Sequence, residues 1–331
     1  MRGLLVAALV GCGHPAAAID SSGGGDDGGD GNTVDAEQLP GDGPLAMDAV
    51  IVPACPTGTW CQEPAPPGVS GIIAAVWAHD ANHVFAVGDA GTILYRHQNA
   101  WATMTSNTTE ALRAVWGTSA SDVWAAGGNG ALVHYNGTTW TPITETTVDI
   151  NGVWGTSSAD VWIVGPSLAE HWNGNAWSVP GQPVPGGTLQ SVSGTSTTDV
   201  WTCGESAYVR HYTGAGSWGS QIKPIGNDST FFAIAAETTH VWVTTAADTA
   251  RLEGSTWVEY TPAGGPSFKS LYAASTNDVW AAGGTKVGHW TGTTWDVEMP
   301  APVTTQQLIG VGGAGTDVWV VGTGAMILHR D

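Results

Sequence analysis

Five aspartates in this 331-residue chain are each followed, at nearly constant spacing, by a histidine. The pairs are Asp122 and His134, Asp160 and His171, Asp199 and His211, Asp278 and His289, and Asp317 and His329. A carboxylate that orients an imidazole is two thirds of a nucleophilic triad, and imidazoles with carboxylates are also metal ligands. A triad needs a hydroxyl or thiol within hydrogen-bond reach of one imidazole, and a metal site needs several of them to converge on one point. The spacing promises neither. Each aspartate stands in a near copy of one phrase: "TSASDVWAAGG" from Thr118, "TSSADVWIVG" from Thr156, "TSTTDVWTCG" from Thr195, "STNDVWAAGG" from Ser275 and "AGTDVWVVG" from Ala314. Looser copies, "DANHVFAVG" and "ETTHVWVTT", put His83 and His240 at the aspartate position, and there the later histidine is replaced by Tyr95 or Arg251. Asp and His therefore come and go together. The reading this supports is a hydrogen bond inside each repeat, a carboxylate accepting from an imidazole N–H, with His240 accepting from Arg251 in the exceptional copy. Copies of one position spread along a repeat array do not converge, so no metal and no cofactor is expected.

The elements that carry these pairs follow from the period. The second aromatic of each phrase falls at Phe85, Trp124, Trp162, Trp201, Trp242, Trp280 and Trp319, a spacing that stays nearly constant from one copy to the next. Each unit holds four short β-rich runs and no helical periodicity, which matches the four-stranded blade of a β-propeller. In the second unit the runs are "LRAVWGTS", "DVWAAGG", "ALVHYN" and "TTWTPI". They are nearly continuous in apolar residues because both faces of a blade are covered by its neighbours. A further tryptophan marks the fourth strand at Trp101, Trp140, Trp177, Trp218, Trp257 and Trp295, and the seventh unit ends without one. The spare tryptophan is Trp60, ahead of the first unit. The fold expected is all-β, a seven-bladed propeller over residues 53–331, closed by an N-terminal strand around Trp60 that completes the last blade and removes the open edges.

The N-terminus reads "MRGLLVAALVGCG". It resembles a bacterial lipoprotein signal, whose Leu-x-Gly-Cys box is matched by Leu9, Val10, Gly11 and Cys12. The resemblance implies a signal peptide over 1–11, cleavage before Cys12, and a lipid on that cysteine. Residues 12–52 form the tether, glycine-rich, with eight acidic residues between 13 and 50 and no Lys or Arg. Such a segment buries too little apolar area to offset its ordering entropy, and about 40 residues of it reach on the order of 35 Å. The expected location is the bacterial cell envelope, at the outer membrane or cell surface, with contact to the membrane through the lipid alone. Cys55 and Cys61 are close enough in sequence to bridge in an oxidising compartment, while Cys203 reads as a buried inert thiol.

With 47 glycines, 18 tryptophans and a formal net charge of −20 carried against only nine Lys and Arg, the chain lacks the basic footprint that phosphate backbones require. Nucleic acid is set aside as a partner. The repeat phrases and the "NGTTW", "NGNAW" and "TGTTW" turns resemble bacterial seven-bladed propellers with tectonin-like repeats and, more loosely, Asp-box propellers. That resemblance covers residues of about 55 to 331 and implies recognition, since tectonin-like and related propellers include lectins. The Ser-x-Asp part of an Asp box is absent.

Two sets of loops differ most between units: those leading into each inner strand, and those between strands two and three. On a propeller they share one face. The candidate ligand-binding residues there are Glu145, Asp149, Glu170, Glu205, Tyr208, Asp228, Phe231 and Phe268, carboxylates for hydroxyls or basic partners and aromatics for stacking. The function expected is a monomeric, non-enzymatic binding module for a glycan or an envelope or extracellular protein. A scaffolding envelope component and a propeller hydrolase such as a glycosidase are the alternatives.

Overall fold

The structure is a computed structural model and describes residues 50–53, 55–181, 187–206, 208–219, 222–225, 230–264, 267–300 and 305–331. Cys12 and Asp228 lie outside the described residues. Seven antiparallel sheets follow one another along the chain, and each inner strand packs beside the next, with Leu308–Ala314 returning to Ile73–Asp80. The ring is therefore closed. It is a seven-bladed β-propeller, as the period predicts.

Blade 2 shows the pattern, with strands Leu112–Ser119, Asp122–Gly127, Leu132–Tyr135 and Trp140–Pro142 from the axis outward. The second strand is buried along nearly its whole length, and Val123, Ala125 and Val133 join Phe85 and Tyr95 of blade 1 in one core. The core is thus seven wedges of apolar side chains between blades. This explains why periodicity along a strand is weak while periodicity between units is strong. Two blades depart from the pattern. Blade 4 has three regular strands, Leu189–Ser196, Asp199–Gly204 and Val209–Tyr212, and its outer edge is held by isolated bridges from Trp218 to Tyr212 and from Ile222 to Val209. Blade 1 has five, because Val50–Ile51 pairs outside Ala100–Met104. Val50 and Ile51 thus cover the outer edge of blade 1, opposite Trp101 and Ala100.

The seam lies where expected, just after Trp60: Cys61–Gln62 pairs with Ile327–Arg330 and supplies the fourth strand of blade 7. A disulfide joins Cys55 to Cys61 with their Cα atoms 5.8 Å apart. Trp60 packs edge-on to Trp280 and donates from its indole to Glu298 Oε1 at 2.5 Å. Next to the seam strand, Glu63 is 1% exposed. Its Oε2 accepts from the Trp101 indole at 2.6 Å, and its Oε1 lies 3.2 Å from the Arg96 guanidinium and 3.3 Å from His329 Nδ1. One carboxylate thus ties the closing segment to blade 1 and blade 7 at once. Cys203 is the buried thiol expected of it, and burial pushes its pKa well up.

Candidate functional site

The Asp–His pairs stand inside blades. His134 Nε2 lies 2.6 Å from Asp122 Oδ1, and the distances in the other four pairs are 2.5, 2.6, 2.8 and 2.9 Å. Each imidazole stacks on the tryptophan two positions after its aspartate, with centroids between 3.8 and 4.4 Å apart. In blades 2, 3 and 4 a threonine from the end of the inner strand, Thr118, Thr156 or Thr195, donates to the second carboxylate oxygen. The carboxylate is thereby saturated from both sides. Burial alone would raise the Asp122 carboxyl, yet the bonds from His134 and Thr118 hold it below its ordinary value of 3.8, and Asp160 and Asp199 are lowered for like reasons. In the two exceptional blades the carboxylate moves upstream, to the other side of the turn: Asp80 meets His83 Nδ1 at 2.8 Å, and Glu237 meets His240 Nδ1 at 2.9 Å. This corrects the expected His240–Arg251 bond. Arg251 instead pairs with Glu253 at 2.7 Å and covers Trp242.

Replacing Asp122 by Ala leaves a stacked imidazole and a threonine hydroxyl without their acceptor. A loss of about 1–3 kcal/mol is expected, seen as a fall in Tm. His134→Ala in the same chain should add much less than its own single cost, because the two removals abolish one interaction. Independent, additive losses would remove the Asp–His bond from the account of stability.

The other concentration of polar groups surrounds the axis. A channel of about 740 Å³ is lined by all seven inner strands. At its mouth stand Ala74, Arg113, Asn151, Gln190, Phe232, Lys269 and Ile309, the second residue of each inner run. In blades 1, 2, 4 and 7 the ladder skips this residue, as between Leu112 and Ala114, so it sits at an irregularity in the pairing. Such bulges re-aim a side chain out of the ladder. Below the mouth the next two positions are uniform, small at Ala75, Ala114, Gly152, Ser191, Ala233, Ser270 and Gly310, then β-branched or leucine at Val76, Val115, Val153, Val192, Ile234, Leu271 and Val311. The mouth position alone carries seven different residue types.

Of the predicted ligand residues, Asp149 reaches this rim. Its Oδ2 accepts from Arg113 at 2.7 Å and its Oδ1 from the Asn129 backbone N–H at 2.8 Å, and these two bonds lower its carboxyl pKa. Glu145 is exposed in the loop into blade 3. Glu170, on the third strand of that blade, is half-buried and has its carboxyl pKa raised by burial and then by Glu145. Glu205 is exposed in the blade 4 turn and Tyr208 packs beside the blade 3 core. Phe231 and Phe268 are not available to a ligand: they are 0% and 1% exposed and sit in blade cores. They occupy the register of Leu112, Ile150, Leu189 and Leu308, all of them buried. The aromatic at the mouth is Phe232, the next residue along. The doubled Phe231–Phe232 hides this, and aligning it with "LR", "IN" and "LQ" is the signal that places it.

No family model matches the sequence, and no curated protein matches it either. Solved structures match the fold. A YCF48 bound to a D1 peptide superposes with a TM-score of 0.68 at 13% identity, over 84% of this chain and 99% of that one. Virginiamycin B lyase from Staphylococcus aureus, in a catalytically inactive form with quinupristin, gives 0.72 at 13% identity, over 82% and 98%. The WD40 propeller domain of Doa1 gives 0.70 at 12% identity, over 82% and 96%. At these identities the likeness is one of fold. Proteins of this shape thus include one bound to a peptide and one that is a lyase.

Proposed function

We propose that this protein is a non-enzymatic binding module that takes a segment of another protein at the mouth of its axial channel. The observation that carries the reading is the rim position itself. Seven equivalent sites in otherwise similar blades hold an apolar residue, a paired cation, two amides, an aromatic ring, a cation with no carboxylate partner among the described residues, and another apolar residue. A ring built only for closure would repeat one kind of residue there, as it does two positions further in, where every blade has valine, isoleucine or leucine. On this face Asp89, Glu110, Glu145, Asp149, Glu170, Glu205 and Asp248 stand on blades 1 to 5, with Arg113 paired to Asp149 among them, and Lys269 and Lys286 stand on blade 6. The peptide seen on the YCF48 propeller supports a protein ligand over a sugar. The aspartate–histidine pairs are committed to blade packing, which leaves them no nucleophile to serve.

The Leu9 to Cys12 box supports attachment to a bacterial envelope by a lipid on Cys12, and the Cys55–Cys61 disulfide fits an oxidising compartment. A photo-crosslinking side chain at Gln190 is expected to capture a protein in the native cell, while the same group at Ser121, in the turn on the opposite face, captures none. Equal capture at both positions, or a salt-insensitive hit on a glycan array with no capture at Gln190, would refute protein recognition at this mouth.

A further inference from the structure

We infer that the channel mouth captures the C-terminal carboxylate of a partner polypeptide whose last side chain is apolar, with Lys269 on the carboxylate, Gln190 on the main chain and Ile309 with Ala74 against the side chain. This rests on the reading of the mouth as a peptide site and names the part of the peptide that enters it.

Lys269 carries the inference. The chain has nine Lys and Arg against 29 acids, so carboxylates are plentiful, and Arg96, Arg113, Arg251 and Arg330 each have one within ion-pair distance. Arg210 and Lys286 donate to backbone carbonyls of Gly219 and Gly264. Among the described residues Lys269 has no carboxylate partner. Its ammonium instead sits 3.2 Å from the centroid of the Phe232 ring, the neighbouring rim residue on blade 5. An aromatic face holds a cation in place while leaving its N–H groups free for an acceptor. The side chain is exposed, partial burial of its ammonium lowers the Lys269 pKa, and among the described residues no acid opposes that shift, so an arriving anion would meet a charge that is not yet compensated.

Two further features decide what kind of anion fits. The Gln190 side-chain amide, on blade 4, makes no hydrogen bond among the described residues, so a donor and an acceptor are uncommitted beside the aromatic and the cation. On the other side of Lys269 the rim turns apolar, with Ile309 on blade 7 and Ala74 on blade 1. A C-terminal residue carries a carboxylate and an apolar side chain on one Cα, so it meets both zones at once. An internal Asp or Glu holds its carboxylate on its own stem, and the chain must leave the channel in two directions. A volume of about 740 Å³ falls within the usual range of roughly 300–1,000 Å³ for a ligand site. Capture of a terminal carboxylate is an established mode of peptide recognition.

The test uses the full-length, disulfide-intact protein and three pools of heptapeptides: free acids and C-terminal amides with the last three positions randomised, and amides with Asp fixed at the sixth position and the fifth and seventh randomised. Affinity selection is read by mass spectrometry. Free acids ending in Leu, Ile, Val or Phe should be enriched at least tenfold over the plain amides. Lys269→Gln should abolish that difference while leaving Tm unchanged, and Lys269→Arg should retain it. Equal enrichment of acids and amides, lost in Phe232→Ala, would overturn terminal capture and leave the peptide site standing. Enrichment of the Asp amides alone would assign the anion to a side chain and also overturn it. No enrichment from any pool would overturn both readings.

Discussion

Replacing Glu63 by Gln is expected to lower the stability of the propeller by about 3–5 kcal/mol, the cost of leaving one member of a buried ion pair alone. In a chain of this size each kcal/mol moves Tm by roughly 2–4 °C. The cost is large because three partners depend on one carboxylate. Arg96 is 4% exposed and His329 8%, and the Trp101 indole points at the same group. Arg96 has other bonds, to Asn99 Oδ1 at 3.0 Å and to the Ala81 carbonyl, but none of these neutralises its charge. A side-chain amide in place of the carboxylate would keep an acceptor for Trp101 and lose the compensation of Arg96. A double change, Glu63→Gln with Arg96→Met, should recover part of the loss, because it removes the stranded charge as well. If Glu63→Gln alone leaves Tm unchanged by calorimetry, the seam does not depend on this ion pair.

The same group fixes the sign of the pH dependence. Burial by itself would raise the Glu63 carboxyl, but the contacts from His329, Arg96 and Trp101 hold it below its ordinary value of 4.5. A carboxyl whose folded pKa is depressed contributes stability that is fully present above the unfolded pKa and is lost as pH falls through the folded one. Asp122, Asp160 and Asp199 are depressed from 3.8 and act in the same direction. Stability should therefore hold above about pH 5 and fall steadily below about pH 4, with a shallower fall in Glu63→Gln.

These contacts also show what a single chain of letters can reveal. The seven blades and the Asp–His pairs are legible because each recurs at a fixed register. Seven copies of one phrase act as an alignment, and a residue such as His134 can be matched to Asp122 by its absence wherever Asp is absent. Glu63 occurs once. Its partner Arg96 lies on the third strand of blade 1 and His329 almost at the end of the chain, and no repetition links them. The rim position is hidden for a different reason. It is the place where the units differ most within their inner strands, so Arg113, Gln190 and Lys269 read as noise in a repeat until the ring places them around one channel. The exceptional carboxylates Asp80 and Glu237 escape a register argument because the repeat keeps the hydrogen bond while moving its acceptor to the other side of the turn.

The inner-strand tryptophans add a constraint that the sequence displays in "VWG" without explaining it. Trp116 of blade 2 lies over Gly155 of blade 3, Trp154 over Gly194 of blade 4, and Trp77 over Gly117 of blade 2, each ring filling the place where the next blade's glycine has no side chain. A Cβ on Gly155 would stand 2.8 Å from Trp116 Cη2 and would overlap the backbone carbonyl oxygen of Asp160. Neither neighbour can yield easily: the ring packs against the blade 3 core, and Asp160 begins the strand Asp160–Gly165 and is bonded to His171 on the strand beside it. Gly155→Ala is therefore expected to cost on the order of 3 kcal/mol, at the upper end for overpacking by one methyl group. Gly254→Ala supplies the contrast. Its Cβ meets nothing within 4 Å, and with φ at +63° it should lose only about 1 kcal/mol of backbone energy. Trp116→Leu will itself destabilise the chain, but combined with Gly155→Ala it should cost less than the sum of the two, by about 1 kcal/mol, since the ring overlap is gone while the overlap with the Asp160 oxygen remains. Urea unfolding of the four chains measures the coupling. A strictly additive result, with no coupling beyond the error of the measurement, would show that the tryptophan and the glycine do not constrain each other. The spacing of the blades around the channel would then have to come from the apolar wedges between them alone.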